Sequence, residues 1–274
     1  MPELPEVEVI RQGLLPLVKN RRILAVSYSN KRLRKPFPRA RMYGRVEKNF
    51  ILDIERRGRY LLFRLTGKTV MIFHLGMTGK LTAPPADSPR RRHDHLRFLL
   101  DNGRELRFND ARRFGFVEVW GEEEPEALAL FADFGPEPFD PAFDAQYLLS
   151  AAHGKTQSVK TFLMDNRVVT GIGNIYANEI LFASRTHPAT PAGRLSKLDW
   201  GLIARQSRMI LEKAIQMGGS TISDYENADG KSGYFQLTLA VYGRHGESCP
   251  VCGSTIARLA LAGRASFFCP DCQR

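Results

Sequence analysis

The run CPVCGSTIARLALAGRASFFCPDC, residues 249–272, holds every cysteine of the chain, as Cys249-x2-Cys252 and Cys269-x2-Cys272. Each C-x2-C pair puts two sulfurs on one tight turn around a metal. Two such pairs supply the four thiolates of one tetrahedral structural zinc (Zn2+) site. Between the pairs, Thr255 to Leu261 is largely apolar, Ala262-Gly263-Arg264 supplies a turn, and Ser266 to Phe268 leads back. That order predicts a β-hairpin. So short a segment has almost no core of its own, so the metal must supply its folding free energy. Two disulfides in a secreted protein are the alternative reading. No basic-then-apolar leader opens the sequence and no cysteine lies elsewhere, so we expect zinc, a reducing compartment and a cytoplasmic location.

Outward from the hairpin, the chain is strongly basic, with a formal net charge of +11 over 274 residues. Arginine supplies most of the cations, and its planar donor fork suits phosphate, so the balance leans toward nucleic acid. An ordinary basic surface is the plainer reading. No run of 18 apolar residues exists, which excludes a bilayer-spanning helix.

Residues 3 to 18 read as one helix, with Val7, Ile10, Leu14, Leu15 and Leu17 near helical spacing. From about 22 to 120 short strands take over: Arg22 to Tyr28, Ile51 to Ile54, Tyr60 to Leu65, Val70 to His74, Leu96 to Leu100, Arg104 to Phe108 and Phe116 to Trp120. Asp101-Asn102-Gly103 is a hairpin signal between two of them. This pattern predicts an antiparallel sandwich or barrel. The prolines of Asp133-Phe134-Gly135-Pro136-Glu137-Pro138 mark a linker, after which helices are expected at 144–152, 157–165, 174–184 and 197–217. Ser196 is a good N-cap for the last, and Gly218-Gly219 stops it. A long polar loop follows, to about 236. The whole is an α+β architecture: N-terminal helix and β-sandwich over 1–132, linker 133–143, helical DNA-binding domain 144–237, zinc hairpin 238–274.

Several constellations could carry chemistry. Pro2-Glu3-Leu4-Pro5-Glu6 reads as a helix start, with prolines and carboxylates in the first turn. It also reads as a covalent site. Aminopeptidases remove a methionine that precedes proline, which would free the secondary amine of Pro2. An α-amino group titrates near 8, so much of it is nucleophilic at neutral pH. Its attack on an aldehyde-like carbon gives a permanently charged iminium, with Glu3 adjacent as a proton donor. Gly171-Ile172-Gly173-Asn174 opens a helix with uncovered amides, either a common turn or a phosphate seat. Asp110-Ala111-Arg112-Arg113-Phe114-Gly115 is an ordinary loop with one buried phenylalanine or a wedge into a base stack. His93-Asp94-His95 has no evident third metal ligand, and reads as strand polar residues or a phosphate contact. His74 reads as a satisfied strand histidine and Met77 as core.

Taken in order, PELPEVE, HLGM at 74–77, HDH at 93–95, ARRFG at 111–115, GPEP at 135–138, GIGNIYANE at 171–179, GGST at 218–221, VYGR at 241–244 and the cysteine hairpin resemble the bacterial formamidopyrimidine-DNA glycosylase family along the whole chain. The resemblance implies a bifunctional glycosylase and AP lyase of base excision repair. Such an enzyme removes oxidised purines such as 8-oxoguanine from double-stranded DNA and acts on abasic sites. Pro2 would attack the anomeric carbon, Glu3 would protonate the ring oxygen, and Glu6 would support them. Arg264 would hold a phosphate and assist the second elimination. Asn174, His74, His93 and Lys155 would bind backbone phosphate. Met77, Arg112 and Phe114 would fill the void left by the extruded base, with Arg112 facing the orphaned cytosine. The polar loop would cap that base. The family usually has lysine where this chain has Arg59; arginine keeps the charge but does not readily lose a proton. A monomer with no obligate protein partner is expected. Excision of oxidised pyrimidines, or non-catalytic DNA binding through the zinc hairpin, are the competing functions.

Overall fold

The structure, a computed structural model, describes residues 2–219 and 239–274. They form two compact units, one of 2–132 with 218–219, the other of 133–217 with 239–274. Most of the polar loop expected over 218–236, and Met1, lie outside the described residues.

The first unit begins with α1 (Leu4–Val18), then β1 (Ile23–Tyr28), α2 (Arg39–Arg45), β2 (Ile51–Arg57), β3 (Tyr60–Leu65), β4 (Thr69–His74), β5 (Lys80–Thr82), β6 (Asp94–Leu100), β7 (Glu105–Asn109), β8 (Phe116–Gly121) and α3 (Pro125–Ala129). The strands make two antiparallel four-stranded sheets, ordered β1-β6-β7-β5 and β2-β3-β4-β8. Their inner faces share one core. Phe73 of β4 packs edge-on against Phe98 and Phe108 of the other sheet, with centroids 6.1 and 5.6 Å apart. Val7, Ile10, Leu14 and Val18 of α1 are buried in that core. The expected strands and N-terminal helix are all present. The short elements α2, α3 and β5 were not anticipated: five or seven residues give too few turns, and three residues too little alternation, for a periodic signal.

The second unit contains α4 (Ala145–Ala152), α5 (Val159–Leu163), α6 (Asn174–Ala183), α7 (Lys197–Gln216), and the strand pair β9 (Ala257–Leu261) and β10 (Arg264–Phe268). Ser196 caps α7 through a reciprocal box with Asp199. Gly135 of the linker lies so close to the loop between α5 and α6 that a Cβ there would sit 2.4 Å from the Val168 carbonyl oxygen. Only glycine allows that approach. No helix among the described residues is long and apolar enough to cross a membrane.

Candidate active site and nucleic-acid interface

At its N-terminus α1 presents Glu3 and Glu6, each only 3% exposed, in a capping box. The Glu6 carboxylate accepts the Glu3 N–H at 2.8 Å, and the Glu3 carboxylate accepts the Glu6 N–H. Pro2 immediately precedes this cap and is partly exposed. The backbone of Gly219 approaches Glu6 closely enough that a Cβ would lie 3.3 Å from Cγ.

Glu8, two residues further on, binds Arg11 at 2.7 Å and Arg56 of β2 at 2.9 Å. Burial alone would raise its pKa, but these two partners outweigh burial and hold the carboxyl below the usual carboxylate range. Arg11 also donates to the Ile54 carbonyl. The helix therefore runs antiparallel to β2, and its N-terminal end lies toward the tip of the β2–β3 hairpin. Gly58 takes φ +57° in that tip and Arg59 completes it.

His74 ends β4 opposite Tyr60 and Phe116. Its ring stacks on Phe116, and its Nδ1 accepts the Gly76 N–H at 3.1 Å. Burial, then the charges of Arg59 and Arg34, lower its pKa to about 4. His74 is therefore neutral at physiological pH, with its proton on Nε2. Such a ring donates one hydrogen bond without bringing charge.

The loop after His74 meets the loop before β8. Gly76, at φ +64°, would place a Cβ 2.5 Å from the Phe114 carbonyl carbon and the Gly115 nitrogen. Met77, Arg112 and Phe114 stand on these two touching loops. Met77 is 41% exposed and Phe114 45%, and the Arg112 guanidinium lies 4.7 Å from the Phe114 ring centroid. The core reading of Met77 and the buried-phenylalanine reading of Phe114 are therefore corrected: the loops turn both side chains outward.

Asp110, fully buried, ties the loops together. It accepts from Thr78 Oγ1 at 2.6 Å and from the Gly115 N–H at 2.8 Å, while Thr78 accepts from the Arg112 N–H. Its backbone N–H donates to the His93 carbonyl, and its own carbonyl contacts His95 Nε2. Sequence reasoning missed Asp110. Its only signal was an acid ending a strand, and such residues are common.

In the second unit, Asn174 is the first residue of α6, after the N-cap Gly173 and Gly171 at φ +103°. Lys155 is exposed on a cleft of about 560 Å³ that also includes Gln157, Asp165 and Arg167. Those three residues line a second cleft of about 330 Å³ together with Lys160 and Arg264, so Lys155 and Arg264 border adjoining openings. Arg264 is exposed. It was expected in the turn, but it begins β10 opposite Leu261, because Ala262 and Gly263 alone make the reversal at φ +47° and +72°. Two consecutive positive φ angles match the twist of a tight hairpin.

The cysteine sulfurs lie within 4.8 Å of one another, the only such cluster of potential metal ligands among the described residues. Cys249–Cys272 and Cys252–Cys269 are 3.9 and 3.4 Å apart, close to the edge of a tetrahedron of sulfurs about 2.3 Å from zinc. Hydrogen bonding with Ser254 lowers the Cys252 pKa, whereas the neighbouring thiols raise that of Cys272. Four thiolates this close need a cation between them, and one zinc fits the set.

A buried carboxylate pair behind Pro2, outward basic and aromatic side chains on two touching loops, and a four-cysteine set that fits zinc are features expected of a zinc-containing DNA-processing enzyme. Comparison with known proteins narrows the class. Residues 1–117 match the formamidopyrimidine-DNA glycosylase N-terminal domain, 134–226 the H2TH domain of the same enzymes, and 246–274 the zinc finger found in FPG and IleRS. Formamidopyrimidine-DNA glycosylases of Geobacter sulfurreducens and Laribacter hongkongensis are 46% and 45% identical, over the full length of both chains. Among solved structures, a Lactococcus lactis FPG variant with Fapy-dG containing DNA has a TM-score of 0.91 at 33% identity, each chain fully covered. The Thermus thermophilus MutM (FPG) protein has 0.87 at 37%, covering 99% of this chain and 98% of its own. The wild-type Lactococcus lactis protein with DNA containing an oxidised pyrimidine has 0.89 at 33%, again over both full chains.

The chain belongs to the formamidopyrimidine-DNA glycosylase family. It is accordingly an enzyme of DNA repair and not a non-catalytic docking protein.

Proposed function

We propose that this protein excises oxidised purines, 8-oxoguanine and formamidopyrimidines, from duplex DNA, and then cleaves the strand by β,δ-elimination. The observation that carries this reading is the buried Glu3–Glu6 capping box directly behind Pro2. Once Met1 is removed, the Pro2 amine sits at the positive end of the α1 dipole, which disfavours its protonated form. Its lone pair forms a bond to C1′ as the C1′–base bond breaks, and the base leaves with its electron pair and takes up a proton. The nitrogen loses its own proton and its lone pair then expels the ring oxygen, which takes a proton from Glu3. The product is an open-chain iminium. Loss of a C2′ proton releases the 3′ phosphate, and loss of a C4′ proton releases the 5′ phosphate. Hydrolysis of the iminium frees the enzyme.

The other residues bind and position. His74, His93, Lys155, Asn174, Arg59 and Arg264 take backbone phosphates, with Arg264 at the second elimination. Met77, Arg112 and Phe114 fill the space of the extruded nucleotide, whose unstacking costs a few kcal/mol. Zinc, held by Cys249, Cys252, Cys269 and Cys272, keeps the hairpin folded. The site of action would be the cytoplasm, at the nucleoid.

Borohydride trapping on an 8-oxoguanine:cytosine duplex tests the reading. Wild type should give a covalent complex and Pro2→Gly none. A mature protein that retains Met1 and still cuts would overturn it. The complex of the Lactococcus relative with an oxidised pyrimidine favours a second substrate class for this chain. Faster excision of thymine glycol than of 8-oxoguanine would make that class the main one.

A further inference from the structure

Two buried polar side chains in the second unit have no part in the chemistry above. Lys160 of α5 and Asn178 of α6 are each 1% exposed. Lys160 Nζ donates to the Ala265 carbonyl and to Ser266 Oγ, both at 2.7 Å. Asn178 Oδ1 accepts the Phe267 N–H at 2.7 Å, and its Nδ2 donates to the Asn174 carbonyl.

β10 is the second strand of a two-stranded sheet, with β9 on one side. In an antiparallel ladder, the carbonyl of one residue and the N–H two residues on point to the same edge. The Ala265 carbonyl and the Phe267 N–H therefore face away from β9, and the two helices satisfy them as a third strand would. A buried ammonium must be matched by hydrogen bonds, and those to the Ala265 carbonyl and Ser266 Oγ both fall on one strand. An apolar side chain there would leave that carbonyl unpaired, so the lysine fixes the strand's position through its donors.

The three residues so held, 265 to 267, directly follow Arg264. Asn178 joins the same strand to the backbone of Asn174. We infer that Lys160 and Asn178 are positioning residues that hold Arg264 in register with Asn174, so that both meet phosphates of one strand at a set spacing. The inference rests on the proposed elimination role of Arg264. It predicts that Lys160 matters chiefly for δ-elimination, the step at which Arg264 acts, and little for the attack by Pro2.

The test uses the full-length zinc-loaded protein, with an 8-oxoguanine duplex and a preformed abasic duplex. Lys160→Met should keep its zinc and give borohydride-trapped complex at the wild-type yield. Its δ-elimination rate should fall by about tenfold, the scale of a displacement of under 1 Å in a catalytic group. Product should then accumulate as the β-cleaved end. Lys160→Arg, which keeps cationic donors, should restore the product ratio to within about threefold. A zinc-loaded Lys160→Met enzyme with an unchanged β-to-δ ratio would overturn the inference. If Lys160→Met loses zinc, Ser266→Ala decides, since it removes one acceptor only. A shift toward β product supports the positioning role, and an unchanged ratio refutes it. Failure of wild type to trap would instead refute the Pro2 reading, so the two failures are distinct.

Discussion

In the first unit, the loops bearing Met77, Arg112 and Phe114 stand on a core that includes Phe63, Phe73, Phe98 and Phe108 from two sheets. In the second, the hairpin bearing Arg264 closes over Phe182, Val241, Cys249, Ile256 and Cys269, two of which are themselves metal ligands. A large apolar core can hold loops in place through packing and a few buried hydrogen bonds. A hairpin without one depends on thiolate–metal bonds and on side chains reaching in from neighbouring helices. The two regions should therefore fail differently when challenged.

Removing the metal is the sharpest way to separate them. Chelation of zinc, or Cys269→Ser, should reduce affinity for an abasic-site duplex by about a hundredfold or more, because metal binding is the hairpin's folding free energy. The sandwich should keep its strand signal in circular dichroism. If the strand signal disappears at the same chelator concentration, the two supports are not independent.

Asp110→Ala attacks the other support. It leaves the Gly115 N–H and the Thr78 hydroxyl without their buried acceptor, which should cost about 3 kcal/mol in denaturant unfolding. Discrimination for cytosine opposite the lesion should weaken too, since the Arg112 loop loses its anchor, while zinc content stays constant. A change below about 0.5 kcal/mol would show that packing alone holds the loops.

His74 gives a pH signature confined to the first unit. Its folded pKa of about 4 lies below the ordinary 6.5, so the unfolded chain binds its proton first. The stabilisation is complete above about 6.5 and is lost as pH falls toward 4. His74→Gln should flatten that part of the stability curve, measured by urea unfolding across the range. Above pH 6 its effect on DNA affinity should not vary with pH, because the ring proposed to meet phosphate is neutral there.

A smaller effect is expected from Glu8→Gln. The Glu8 carboxyl is held below its ordinary value, so its contribution is present above about 4.5 and disappears as pH falls through the folded pKa. The variant should lose stability at pH 7 and converge with wild type in acid, seen as melting curves that meet at low pH. Arg59→Lys should change least, by less than about tenfold in strand cleavage, because either cation at the hairpin tip can bind phosphate. A larger loss or gain would assign Arg59 a part in proton transfer.

Much of this molecule can be read from local pattern. Residues two apart along a strand share a face, residues three or four apart share a helix face, and two C-x2-C turns can surround one metal. Each of these relations is settled within a few residues, so the sandwich strands, the long helices and the zinc hairpin follow from composition and spacing. The Pro2-Glu3 start and the Gly171-x-Gly173 turn were visible for the same reason.

Other features depend on partners distant in the chain. Asp110 matters because Thr78 lies 32 positions away, and Lys160 because Ser266 lies 106 positions away. His74 is neutral because burial and the charges of Arg34 and Arg59 act on it together. Neither periodicity nor a short motif encodes such relations, since they form only when strand register and helix packing bring the groups within hydrogen-bonding or Coulomb range. The amino-acid order thus determined which elements form and what could bind zinc. The tertiary structure alone decided which buried side chains anchor the loops and the hairpin strand, because those contacts exist only once distant segments have met.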